Sequence, residues 1–270
     1  MDNQSKGYTL ENFGLNPDTT KAFTLHGIWN QDDPEILDFH GFHQVLMTID
    51  GTILLYDEHF QYPLFKHVAA LIPAHLPHRV KKAQSQKDIH CESIFFNRDF
   101  FPLSDNSISV FEITDLGGAL IRTLNEEPLI DISEGFKFQC VELLGEVIKR
   151  DLQDRTQQIR LPVSDDPRIQ KATNFIESHY RSKITLTDLA EAVNLSTRQL
   201  TRIFIKDFKM SAMEYLRTYR ILHTSVSLSS SKKKVIDIAL SHGYETISTF
   251  YQDFFKYFGT SPDRFRKLSL

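Results

Sequence analysis

The spacing of apolar positions changes character along the chain. From about Phe23 to Phe96, β-branched and aromatic residues come in short runs, FHQVLMTID, TILLYDE, FKHVAALIPA and DIHCESIFF. Such runs, separated by turn signals, predict many short strands in a small antiparallel barrel or sandwich. Asp50-Gly51 is the strongest hairpin cue among the turns. From Ser107 to Gln153 the period becomes helical, and Phe138, Val141, Leu144, Ile148 and Leu152 line up on one stripe. That stripe either covers the β-layer or pairs with its twin in a second subunit. Polar residues, Pro162 and Asp165-Asp166 then interrupt the pattern. They divide the chain into a first domain at 1–154, a linker at 155–165 and a second domain at 166–270. Asp166 and Pro167 supply an N-cap and a first-turn proline for the helix that follows.

Beyond the linker the helical pattern is written twice. TLTDLAEAVNLSTRQLTRIFIKDFKMSAMEYLR (185–217) is answered by KVIDIALSHGYETISTFYQDFFKYFGTSPDRFRK (234–267). Leu189-Ala190 answers Ile238-Ala239, Asn194 answers Gly243, and Leu200, Phe204 and Phe208 answer Phe250, Phe254 and Phe258. Two copies do not make a solenoid, which needs three or more. Each copy has the logic of a helix-turn-helix: a short helix ends on a residue that tolerates left-handed backbone, and a second helix buries one face. The opposite face of the second helix is left free for a DNA major groove. Thr185 with Asp188 predicts a capping box, and Ser261-Pro262 a helix start. Residues 210–229 contain no breaker and predict one long connecting helix of about 28 Å. That length is close to the ~34 Å separating successive major-groove segments on one face of B-DNA.

Charge sharpens the division. The whole chain carries a net −4, which by itself argues against a nucleic-acid binder. Residues 166–270, however, hold 17 Lys+Arg against 10 Asp+Glu, a net of +7, and 1–165 hold 14 against 25, a net of −11. An acidic half joined to a basic half is expected when only one half meets phosphate. The N-terminus MDNQSKGYTL is polar and predicts no signal peptide. No apolar run approaches the roughly 18 residues of a membrane span. Cys91 and Cys140 are too few for a disulfide framework or a cysteine zinc site, and a reducing cytoplasm fits.

The C-terminal hundred or so residues resemble the AraC/XylS family of bacterial transcription regulators. The resemblance is carried by LTDLAEAVNLSTRQLTRIF, by YLRTYRI, and above all by IALSHGYETISTFYQDFFKYFGTSPDRFR. In the last of these Gly243, Tyr244, Phe250, Phe254, Phe258, Gly259, Ser261, Pro262, Phe265 and Arg266 match the family pattern. Three positions depart: Gln252 stands where the family usually has Arg, Phe255 where it has Lys, and Thr224 where it has Ala. The resemblance implies that Arg198, Thr201 and Arg202 on the first reading helix, and Ser248, Thr249 and Gln252 on the second, face DNA. Arg198 or Arg202 would grip a guanine, or only phosphate, and Gln252 an adenine. It also implies a small-molecule effector, a homodimer, and RNA polymerase as a partner of an activator.

The N-terminal half resembles the cupin-like sensor domain common in that family. LIPAHLPHR (71–79) is similar to a cupin motif at Pro73 and His78, with His75 where glycine is usual. Asp38, His40 and Gln44 lie two and four apart, so on a strand they share one face. With His78 they read as polar groups lining an effector pocket, as satisfied core residues, or as a divalent-metal site built on His40 and His78. His43 faces the other way, and His179, His223 and His242 read as surface or capping residues. The fold class expected is therefore α+β, a cupin-like antiparallel barrel with following helices and an all-α domain of two helix-turn-helix motifs. The function expected is a ligand-responsive, DNA-binding regulator without enzymatic activity or cofactor. A metal-dependent cupin enzyme with a DNA-binding tail, and a DNA binder whose β domain only dimerises, are the alternatives.

Overall fold

The computed structural model describes residues 15, 19–29, 38, 40–49, 52–82, 89–103, 106–126, 132, 135–153 and 160–269. It forms two compact units, Met1–Glu58 with Tyr62–Gln158, and His59–Gln61 with Ile159–Leu270. The fold is α+β, with the strands gathered before the long helical region.

The first unit runs β1 (Ala22–Trp29), β2 (His43–Thr48), β3 (Thr52–Tyr56), β4 (Phe60–Phe65), β5 (Val68–Ile72), β6 (Arg79–Lys82), β7 (Ile89–Phe96), β8 (Ser109–Glu112), α1 (Asp115–Leu124) and α2 (Gly135–Gln153). One antiparallel sheet has the order β1-β7-β2-β5-β8. In the other, β6, β3 and β4 lie side by side. Among the described residues no ladder joins these sheets into a closed barrel. Alternation along the strands decides which side is covered. Val45 and Met47 of β2, Leu71 of β5, and Ile94 and Phe96 of β7 share one core with Ile121 and Leu124 of α1 and Val141, Leu144 and Ile148 of α2. Phe138 and Leu152 pack on the same core. The α2 stripe is thus spent on the sheet, and its use as a subunit seam loses its support.

The hairpin expected at Asp50-Gly51 lies outside the described residues, but the strands on either side of it belong to different sheets. A turn signal reports a change of direction and does not choose a partner. Both edges of β2 are already occupied, by β5 and by β7, so β3 has no free edge to join.

In the second unit, β9 (Leu161–Pro162) pairs antiparallel with Phe60 and Gln61. Leu161 is buried in the helical core although it falls in the stretch read as a linker. The helices are α3 (Pro167–His179), α4 (Leu186–Ala192), α5 (Thr197–Phe208), α6 (Ala212–Ser230), α7 (Val235–Ser241), α8 (Ile247–Phe258) and α9 (Pro262–Ser269). Caps fix their starts. The Asp166 carboxylate accepts from the Arg168 amide at 2.9 Å. Thr185 and Asp188 close a reciprocal box, with Thr185 N donating to Asp188 Oδ2 at 2.8 Å and Asp188 N to Thr185 Oγ1 at 3.2 Å. Ser196 and Gln199 form a second box ahead of α5.

Both bihelical copies turn in the same way. After α4 the Leu195 amide donates to Ala190 O and the Asn194 amide to Glu191 O, with Asn194 at φ 57°. After α7 the Tyr244 amide donates to Ala239 O and the Gly243 amide to Leu240 O, with Gly243 at φ 84°. This is the paired six-to-one and five-to-two bonding of a Schellman turn, which satisfies carbonyls the helix end would otherwise orphan. The second turn is under tighter constraint. A Cβ on Gly243 would stand 2.4 Å from Tyr180 O and 2.8 Å from Arg220 Nη2, whereas one on Gly259, at φ 64°, would meet nothing within 4 Å among the described residues. Gly243→Ala is therefore expected to combine backbone strain with a clash and to cost about 2–4 kcal/mol, while Gly259→Ala costs about 1 kcal/mol. Denaturant unfolding of the helical unit checks the order, and equal losses for the two variants would contradict it.

Candidate nucleic-acid interface

α5 and α8 each bury one face and expose the other. Leu200, Ile203, Phe204 and Phe208 face inward on α5, and Phe250 and Phe254 on α8. Phe204 packs edge-on to Phe208 and Tyr215, while Phe254 stacks on Phe258 and meets Phe265 edge-on. On the outer face of α5, Arg198 and Arg202 are exposed and Thr201 is half-buried. Among the described residues neither arginine has an ion-pair partner. Thr201 Oγ1 donates back to Thr197 O at 2.8 Å. A shallow groove of about 640 Å³ runs along this face, lined by Leu186, Arg198, Thr201, Arg202, Ile205 and Lys206.

On α8, Ser248, Thr249 and Gln252 are exposed, but they do not form one group. Thr249 takes the place that Gln199 holds in the first copy: its amide donates to Thr246 Oγ1 at 3.2 Å, and the two hydroxyls share a 2.9 Å bond. It serves the helix cap, about 100° round the axis from Ser248. Tyr251 is the counterpart of Thr201 and donates its hydroxyl to Asp263 on α9. The cation on this helix, Lys256, lies 3.8 Å from Glu214, so the second outer face is less positive than the first.

α6 joins the copies over 19 residues, a rise of about 28 Å. Arg220 in its middle donates from Nε to Tyr180 O at 2.8 Å and from Nη2 to Ser182 O at 2.7 Å. It thereby ties the end of α3 to the connector, against Gly243. Thr224 is fully buried, and its hydroxyl is satisfied within the helix by Arg220 O and Ile221 O. Two of the histidines read as surface or capping groups lie here. His242 does cap, its Nδ1–H donating to Ile238 O at 2.8 Å, yet it is buried. Among the described residues His223 caps nothing, and it packs between Tyr219 and Tyr180, with ring centroids 4.3 and 5.0 Å away. Burial, with lesser contributions from His242 and Arg181, holds its pKa down to about 4.

The polar residues singled out in the first unit do come together. Asp38 and His78 form a backbone bridge, with amide-to-carbonyl bonds of 2.7 and 3.1 Å. The His78 ring is 3.9 Å from the Asp38 carboxylate and edge-on to His40. His40 donates from Nδ1 to Phe42 O at 2.7 Å, and its Nε2 lies 3.0 Å from the Gln44 amide, which bonds Ser93 Oγ at 2.8 Å. His40, Gln44 and His78 are all buried, and burial lowers the His78 pKa. Among the described residues no group of three or more His, Cys, Asp or Glu side chains is arranged to hold a metal. A cavity of about 280 Å³ lies instead beside His43, lined also by Ala74, Arg98, Asp99, Leu103 and Asn106. His43 Nδ1 accepts from the Ala74 amide at 2.9 Å, and burial, then Arg98, lowers its pKa to about 4. Sequence reasoning set His43 aside and passed over Arg98. The two meet only through the loop after β7, which no local pattern announces.

A helix-turn-helix domain family model matches residues 189–268. The melibiose operon regulatory protein of Escherichia coli (strain K12) is 36% identical over 101 residues, 37% of this chain and 33% of that protein. The lactose operon transcription activator of Staphylococcus xylosus is 34% identical over 98 residues, 36% of this chain and 35% of that protein. The chain thus spans about a third of the length of these relatives. Among solved structures, the C-terminal domain of AraT, a response regulator from Geobacillus stearothermophilus, is 28% identical, covering 38% of this chain and 86% of that one, with a TM-score of 0.37.

The buried histidines give the helical unit an acid-sensitive stability. An unfolded chain binds a proton on His223 near pH 6.5, and the folded one refuses it until about pH 4. Stability then falls as pH drops through that window, with His242, also lowered by burial, acting in the same sense. Unfolding measured at pH 7, 5.5, 4.5 and 3 is expected to show this slope, and His223→Gln to flatten its part between pH 6.5 and 4. The loss below pH 3.8 from Asp166, whose bonds to Arg168 hold it at about 2, should survive in the variant.

Proposed function

We propose that this chain, which carries the helix-turn-helix domain of the AraC/XylS family at its C-terminus, is a sequence-specific DNA-binding transcription regulator controlled by a small-molecule effector. Repetition supports the DNA assignment most. Two helices aimed by the same Schellman turn, joined by a connector of about 28 Å, each expose a polar face. α5 and α8 enter successive major-groove segments of one duplex. Arg198 and Arg202 make the strongest contacts, Arg202 gripping a guanine in bidentate fashion and Gln252 an adenine. The first copy supplies most of the affinity, because its guanidinium groups are unpaired among the described residues while Lys256 is shared with Glu214.

The effector belongs to the first unit, in the cavity beside His43 and Arg98. The Asp38–His40–Gln44–His78 cluster stands behind that wall: the His75 amide donates to His40 O while the neighbouring Ala74 amide holds His43. Control requires the effector to bind the DNA-competent state and the alternative state with different affinities. The match to the melibiose and lactose regulators lies in the DNA-binding segment, so the sugars in their names do not carry over to this unit. The metal-enzyme alternative would need His40 and His78 to share an ion, and the Gln44 amide already occupies His40 Nε2.

Selection from a randomised duplex pool, with and without a metabolite panel, tests the reading. Arg202→Ala should then lose about 5- to 100-fold in affinity for the selected duplex, with preference relaxed at one base pair. A uniform loss over all duplexes with a shallower salt slope would make Arg202 a phosphate contact instead. Gln252→Ala should cost less.

A further inference from the structure

Ile205 and Phe255 are large apolar side chains left in solvent, 47% and 61% exposed, on helices whose other large apolar residues are buried or half-buried. The duplication makes them one position. The step that carries Leu200 to Phe250 and Phe204 to Phe254 carries Ile205 to Phe255. On α5, Ile205 follows Arg198, Thr201 and Arg202 by seven, four and three residues. At about 100° per residue it falls between Thr201 and Arg202, in the middle of the exposed stripe, and it lines the same groove. On α8, Phe255 follows Ser248 and Gln252 by seven and three. Residues at relative positions zero, three, four and seven are those with which a homeodomain reading helix meets the major groove.

What complements this stripe must satisfy charge and apolar surface together. An apolar protein surface would leave Arg198, Arg202 and Lys206 desolvated around the isoleucine. A duplex supplies phosphate and base acceptors for the cations, and the major groove displays one apolar group, the C5-methyl of thymine.

We infer that Ile205 and Phe255 are specificity-determining residues, each selecting a thymine by packing on its methyl group, one in each of two successive major-groove segments. The inference rests on the DNA-reading assignment above and adds base identity to it.

The test uses the full chain and a duplex enriched from a randomised pool, in which thymines are replaced one at a time by deoxyuridine. That change keeps base pairing and removes only the methyl. Affinity should fall about four-fold, the worth of one buried methyl-sized group, at one thymine in each half of the site. Ile205→Ala should erase the first effect and Phe255→Ala the second, with melting curves unchanged because both side chains are exposed. Ile205→Lys should bind all duplexes more tightly, with a steeper salt dependence and no methyl effect at its thymine. Uracil tolerated everywhere, or methyl effects that persist in the double alanine variant, would overturn the inference and leave DNA reading intact. Failure to enrich any duplex would overturn both.

Discussion

One residue in left-handed backbone ends the first helix of each copy, and the direction of both outward-facing helices follows from it. Asn194 and Gly243 let the chain reverse while the two amides after each helix satisfy its last carbonyls. The next helix then starts on its own cap, Ser196 or Thr246. Its apolar positions, spaced by three and four, can meet the core only if it leaves the turn at that angle. The outer face is what remains. At Gly243 the constraint is strictest, because the turn packs against Tyr180 O and Arg220. Arg220 in turn holds two carbonyls at the end of α3. Turn, connector and first helix of the unit thus share one contact.

Local rules carry this unit, so the sequence reads well there. The capping box at Thr185–Asp188, the start at Asp166-Pro167 and the 19-residue connector each follow from residues within a turn or two of one another. The faces of α5 follow from periodicity alone. Where sequence reasoning stops short, the deciding contact is non-local. His223 looks like any polar residue on a helix until Tyr180, just past the end of α3, closes over it. Thr249 looks exposed, and is, yet its hydroxyl is engaged by the cap.

In the first unit such non-local contacts decide nearly everything. Runs of β-branched residues announce strands but not partners, and the order β1-β7-β2-β5-β8 pairs strands far apart in sequence. The likeness of 71–79 to a cupin motif pointed to His78, and the helix-period stripe of α2 to a covered face. It took the fold to show that His40, Gln44 and Ser93 form one buried chain of hydrogen bonds. Buried polar groups in such a chain are satisfied by one another, which leaves a ligand little to gain by breaking in. The open space lies one residue along, at His43, where strand alternation turns the side chain toward Arg98.

The two copies share a backbone and divide the chemistry. Guanidinium groups gather on α5, where neither Arg198 nor Arg202 is spent on an ion pair among the described residues. On α8, Gln252 holds the place of Arg202, and Lys256 is drawn toward Glu214. Charge sets how tightly a helix is held to a duplex, at a cost in discrimination, because phosphate is the same at every step. A neutral face contributes less to holding on and takes its meaning from base edges. The chain thus pairs a first outer face rich in free guanidinium groups with a second that carries little charge and an exposed Phe255.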